Sequence, residues 1–240
     1  MLRQLVAASA LIAGCVPAIA PAQDLASLCE KARRPAVGVW SEFKWIGGRN
    51  DGATIRMSVV GAERRAGTDL LWMEMVMRDF PMGPRQRTGE RQRTTRIVSK
   101  VLVEGFGGGD YSPRASVIKL GDAPAMEMPM AQSRMGTAGA PNLDACRSAK
   151  VVGWESVTVP AGTFRALHVV STSGRDDTWV VPNLPFALVK ESANEEGQGH
   201  QMVLIGHGMG ARSLITEKPR PFDPHLFMQM MTGGQGAPPN

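Results

Sequence analysis

Aromatic residues are scarce in this 240-residue chain, at 5% of the total, and Tyr111 is the single tyrosine. Leu, Val, Ala and Met must therefore supply most of the buried area of any core. Cysteines are scarcer still, at three, with no C-x-x-C pair and no histidine close in sequence to Cys29 or Cys146. That argues against a redox or catalytic thiol. There is no G-x-S-x-G, no H-E-x-x-H and no phosphate loop, so no catalytic residue is assigned, the chain is expected not to be an enzyme, and no cofactor is expected. The glycines of "GFGGGD" (105–110) follow a strand pattern, but no helix pattern starts there. The net charge of +5 is modest, and the arginines are not interleaved with aromatics. Nucleic-acid binding is thereby excluded as an expectation.

The apolar stretch Leu5–Val16 is too short to span a bilayer as a helix. It follows a positive "MLRQ" start, Pro17 breaks it, and "APA" (20–22) offers small residues for cleavage. This is the order of an export signal, with residues 1–22 removed and Gln23 as the mature start. A second reading takes "IAGC" (12–15), which resembles the lipobox of bacterial lipoproteins, with residues 1–14 removed and Cys15 acylated. Both send the protein to the periplasm or the periplasmic face of the outer membrane. In an oxidising compartment Cys29 and Cys146 are expected to pair. The loop they close exceeds a hundred residues, worth about 4–5 kcal/mol in the chain-entropy estimate.

Glycine (27) and proline (17) are plentiful, which suits many turns. Period-two alternation predicts strands near 36–46, 53–62, 69–79, 93–104, 114–120, 149–159, 163–173, 177–182, 186–193 and 200–208. Short helices are expected at 24–34 and 142–150, with one amphipathic turn at 226–231. The expected fold is mainly β: a curved antiparallel sheet, half-barrel or barrel-like, with one or two short covering helices. In "VPAGTF" (159–164), Pro160 and Gly162 suit a tight hairpin turn, so 149–159 and 163–173 should pair directly. One β-rich domain is expected over 23–215, with a flexible Pro/Gly-rich tail over 216–240.

Methionine is abundant, at 15 residues. In "LLWMEMVM" (70–77), alternation sends Leu71, Met73, Met75 and Met77 to one wholly apolar face. Leu70, Trp72, Glu74 and Val76 take the other. In "AMEMPMAQSRM" (125–135), Met126, Met128 and Met130 share a parity, and Pro124 and Pro129 put the segment at an edge or in a loop. Core filler is the plain reading of these methionines. The sharper one is a pliable lining for an apolar ligand such as an acyl chain, with Met126, Met128 and Met130 at its rim. Thioethers also select Cu(I), which makes Met126, Met128, Met130 and Met135 the alternative metal set. Arg85, Arg87, Arg91, Arg93 and Arg96 read as a solvated hairpin tip or as a contact for anionic headgroups. His168 in "ALHVV" reads as hydrogen-bonded within the fold, and the Asp176–Asp177 pair as a turn.

"GWESVTVPAGTFRALHV" (153–169) followed by "TWVVPNLPFALVKES" (178–192) resembles the second half of uncharacterised periplasmic β-barrel-like proteins. "LLWMEMVM", "SKVLVEG" (99–105) and "SVIKLGDAPAMEMP" (116–129) resemble strands of the outer-membrane lipoprotein-sorting (LolA/LolB-like) superfamily. The resemblance covers most of 36–208. It implies a curved antiparallel sheet whose concave face carries acyl chains. The expected function is accordingly an exported, monomeric envelope protein that binds a lipid or other apolar ligand, with a membrane surface as a further partner. A ligand-free structural envelope module is the remaining alternative.

Overall fold

The computed structural model describes residues 35–81, 94–104, 112–129, 149–195 and 198–231. Eleven strands and one helix follow in order: β1 Trp40–Ile46, β2 Thr54–Arg65, β3 Thr68–Pro81, β4 Thr94–Glu104, β5 Ser112–Leu120, β6 Met126–Glu127, β7 Lys150–Val159, β8 Gly162–Val170, β9 Asp176–Val180, β10 Leu188–Glu195, β11 Gln198–Gly208 and α1 Pro224–Met231. All strands join one antiparallel sheet in the order β6-β5-β4-β3-β2-β1-β11-β10-β9-β8-β7. Two meanders are thus stitched together where β1 pairs with β11. The sheet does not close, so the fold is an open one and not a barrel.

The strands fall close to where alternation predicts them, and the departures have local causes. Strand β1 starts at Trp40 and not at 36 because Gly38 takes φ +95° and the Val39 N–H turns back to the Ala36 carbonyl. Strand β10 starts at Leu188 because Phe186 and Ala187 both take positive φ, 61° and 57°. Strand β8 stops at Val170, where Ser171–Arg175 turns through Gly174. The hairpin at 159–164 forms as expected: Val159 and Gly162 are Cα partners and Gly162 takes φ +135°.

Curvature is visible in one hydrogen bond. The Ala161 N–H, in the β7–β8 turn, donates to the Leu204 carbonyl on β11 at 3.2 Å. Three strands separate β7 from β11 in the sheet order, so the sheet curls back on itself. The main core follows from that curl. It gathers Phe43, Ile55, Val59, Leu71, Met73, Met75, Val101 and Val103 from one half with Val159, Val189 and Leu204 from the other.

The two expected helices at 24–34 and 142–150 lie outside the described residues, except for Ala149 and Lys150, the second of which opens β7. The one helix in the described residues is α1, longer than the single turn expected at 226–231. Asp223 caps it: its carboxylate accepts from the His225 and Leu226 N–H groups at 2.9 and 3.1 Å. Pro224 fills the first helical position, where a missing N–H costs nothing.

Residues 216–231, expected to belong to a flexible tail, are part of the packed structure. The chain leaves β11, crosses the sheet, and buries Ile215 against Val76, Val98 and Val117. At the sheet edge Arg220 pairs with β6: the Arg220 N–H donates to Ala125, and the Glu127 N–H donates to Arg220. The chain then brings Phe222 and Phe227 onto Ile97, Ile118, Leu120 and Met128 on the opposite face. Residues 232–240 lie outside the described set.

Candidate functional site

Strand β3 carries the proposed apolar lining. Its register aligns Leu71 with Val103, Met73 with Val101, Met75 with Ser99 and Met77 with Ile97. The alternation of "LLWMEMVM" is therefore obeyed: one face is continuous across β3 and β4. Leu71 is 3% exposed, and Met73 and Met75 are each 8% exposed. They are buried by the protein's own side chains. Leu184 and Phe186, from the β9–β10 loop, are among the residues packed on this core. That loop is pinned to β1 where the Ser41 hydroxyl donates to the Pro185 carbonyl at 2.8 Å. Met77 is half-buried and touches both the main core and the cluster beneath α1.

The opposite face of β3 is covered as well, which alternation did not indicate. Leu70, Glu74 and Val76 are buried. The cover is the strap that follows β11. The Glu74 carboxylate accepts from the Leu214 N–H at 3.0 and 3.1 Å and from the Ser213 hydroxyl at 2.7 Å. A buried carboxylate needs such partners, and here backbone and hydroxyl supply them. Further along, Lys119 meets Glu217 at 2.6 Å. That ion pair lowers the Glu217 carboxyl from its ordinary value of 4.5 to about 2.

Met126 and Met128 sit at the sheet edge, as the flanking prolines predict. Met126 pairs with Ile118 in β6, the terminal strand. Both are buried. Met128 packs among hydrocarbon and ring carbons of Ile97, Ile118, Leu120 and Phe222. Met126 instead lines an open hollow of about 420 Å³ with Arg220, Pro221, Phe222, Asp223, Pro224 and Leu226. Most of that lining was read as tail, so alternation along the strands could not find it. The amphipathic "LFMQMM" was the one local hint.

Met130 and Met135 lie outside the described residues, as do Cys15, Cys29 and Cys146, and Arg85, Arg87, Arg91 and Arg93. Arg96 is described: it is exposed on β4, with its guanidinium 3.8 Å from Asp122.

A polar cluster on β7–β10 was only partly anticipated. His168 and Trp179 are cross-strand partners, and so are Trp179 and Lys190. The imidazole stacks on the indole at 4.5 Å, and the Lys190 ammonium lies 4.7 Å from its centroid. His168 Nε2 lies 2.7 Å from the Asp177 carboxylate and Nδ1 lies 3.4 Å from Glu155, which also accepts from the Trp179 indole N–H. His168 is thus hydrogen-bonded within the fold, as expected. Asp177, expected to be a mere turn residue, is the second residue of β9 and holds that ring. Among the described residues, no three His, Cys, Asp or Glu side chains are grouped to hold a metal ion. Among them too, no helix is long and apolar enough to cross a membrane.

No family model matches the chain, and no curated protein matches it in sequence. Solved structures with some likeness include a candidate lipoprotein from Parabacteroides distasonis, at 11% identity and a TM-score of 0.35, covering 74% of this chain and 98% of that one. Another is a candidate exported protein with a YmcC-like fold from Bacteroides fragilis, at 10% identity and a TM-score of 0.33, covering 72% and 96%. A third is a hypothetical protein from Chlamydia trachomatis, at 10% identity and a TM-score of 0.41, covering 82% and 98%. Likeness this slight carries no functional assignment.

Proposed function

We propose that this chain is an exported cell-envelope protein that binds an acyl chain or a similar apolar group, in keeping with lipid or lipoprotein handling at the outer membrane. The export signal at 1–22 supports the location. One observation carries the binding: the open hollow of about 420 Å³ beside β6, walled by Met126, Phe222, Leu226 and two prolines, with Arg220 among its lining residues. A pocket of this size and lining suits part of an acyl chain, at about 0.8 kcal/mol per buried CH₂. Arg220, among the lining residues, is the cation available to an anionic head, while Asp223, which lines the same hollow, has its carboxylate engaged in capping α1. Met126 is then a wall of the site. Leu71, Met73 and Met75 are the packed floor of the sheet and not its lining.

The test is native mass spectrometry of the protein recovered from a bacterial envelope, with titration of a fluorescent fatty acid. Bound lipid, and fatty-acid affinity lost in Leu226→Asp, is the expected result. Lipid-free protein with no titratable affinity would sink the proposal. It would leave the ligand-free structural module, which the packed inner face of β3 favours. The Cu(I) alternative at Met126, Met128, Met130 and Met135 is separated by titrating Cu(I) against the protein and its Met126/Met128/Met130→Leu variant. Leucine keeps the volume and removes the sulfur.

A further inference from the structure

We propose that a corner of the sheet formed by Val37, Trp40, Met209 and Leu214, with Arg56 and Arg212 beside them, docks on an anionic lipid surface. The proposal stands apart from the hollow beside β6 and from any ligand there.

The corner is built by the ends of β1 and β11. Gly206 and Gly208 lie against the Trp40 ring, where an added Cβ would come within 3.2–3.4 Å of it. The indole N–H donates to the Met209 carbonyl at 3.2 Å. The chain then turns at Gly210, φ +88°, and the Ala211 N–H donates to the Gly38 carbonyl at 2.8 Å. Val37 and Met209 are thereby neighbours. Trp40, Ser58 and Glu74 are successive Cα partners across β1, β2 and β3. The strap residue Leu214, bound to Glu74, therefore sits on the same face as Trp40, two strands away, or about 10 Å.

Val37, Met209 and Leu214 are 47%, 65% and 45% exposed. Single exposed aliphatics need no explanation, but three at one corner beside a tryptophan do. The charges there are of one sign. The Arg56 guanidinium lies 4.0 Å from the centroid of the Trp40 ring. Arg212 is exposed on the strap between Met209 and Leu214. The carboxylates of this face are turned in or paired: Glu74 is buried, Glu42 holds Arg78 at 2.8 Å, and Glu217 holds Lys119.

Aliphatic tips with an interfacial tryptophan and flanking cations match the headgroup boundary of an anionic bilayer.

The test is co-sedimentation of the exported, host-processed protein with phosphatidylglycerol-containing vesicles and with pure phosphatidylcholine vesicles. Every arm carries Cys15→Ser, so that no acyl anchor contributes. The expected result is binding to the anionic vesicles that weakens with salt. It should fall about fivefold in Arg212→Gln, the effect of one surface cation, and more than tenfold in Met209→Asp/Leu214→Asp. Val152→Asp, on the far edge strand, should leave it unchanged. Far-UV circular dichroism confirms that each variant is folded. No binding to anionic vesicles, or binding indifferent to both the Arg212 and the Met209/Leu214 variants, would overturn the proposal. So would a concentration-dependent dimer dissolved by Leu214→Asp, which would assign the corner to a second copy.

Discussion

The Leu214 N–H donates to both oxygens of the Glu74 carboxylate, at 3.0 and 3.1 Å, across 140 residues of sequence. This contact ties the segment after the last strand to the middle of the third. It explains how a strand with a glutamate at its centre can be buried on both faces. It also fixes where the strap runs, and with it the hollow at one end and the exposed corner at the other.

Glu74→Ala is expected to destabilise the protein by about 1–3 kcal/mol, because the Leu214 N–H and Ser213 hydroxyl lose their acceptor in a buried setting. Glu74→Gln, which keeps one carbonyl oxygen, should cost less. Urea denaturation of the three proteins checks the order. Equal stability of Ala and wild type would contradict the clasp.

Acid should loosen the strap. The Glu217 carboxyl is lowered to about 2 by Lys119, against 4.5 ordinarily. A lowered carboxyl stabilises the folded state above its unfolded value, and that contribution disappears as pH falls from about 4.5 towards 2. Glu217 is partly exposed, so the effect is small. Protection factors of the 213–217 amides, which divide out the intrinsic pH dependence of exchange, should fall modestly over that window in the wild type. In Glu217→Gln they should be lower than in the wild type above pH 4.5 and show no such step.

Met73 and Met75 should behave as core. Met75→Ala is expected to cost about 2–5 kcal/mol, and Met75→Leu less than about 1.5 kcal/mol. Fatty-acid affinity should be unchanged in Met75→Leu. Lost affinity with stability kept would move the binding site from the hollow to the inner face.

Asp223→Ala removes the cap of α1 and should cost about 1 kcal/mol. Because α1 walls the hollow, the same variant should weaken fatty-acid binding. Thermal unfolding and titration read the two effects separately.

Much of the fold was legible in the chain. Alternation along "LLWMEMVM" placed Leu71, Met73 and Met75 on one face, and the pairing of β3 with β4 follows it residue by residue. Pro160 and Gly162 announced their hairpin, and Pro124 and Pro129 placed β6 at an edge. These signals are local: a pleated strand alternates sides, and proline cannot donate to a ladder. The site was much less legible. Met126 was identified, but Phe222 and Leu226 were hidden in a segment whose composition reads as tail.

By itself, the sequence determined an antiparallel β protein with its turns in place and an apolar face on its third strand, because backbone periodicity and turn chemistry act between near neighbours. Only the tertiary structure decided that this face is filled, that Glu74 is buried, and that Arg220 crosses the edge at β6. Those outcomes depend on what comes back to cover each surface. Strap, β9–β10 loop and helix return from up to 140 residues away, and nothing in the local pattern of a strand encodes its cover.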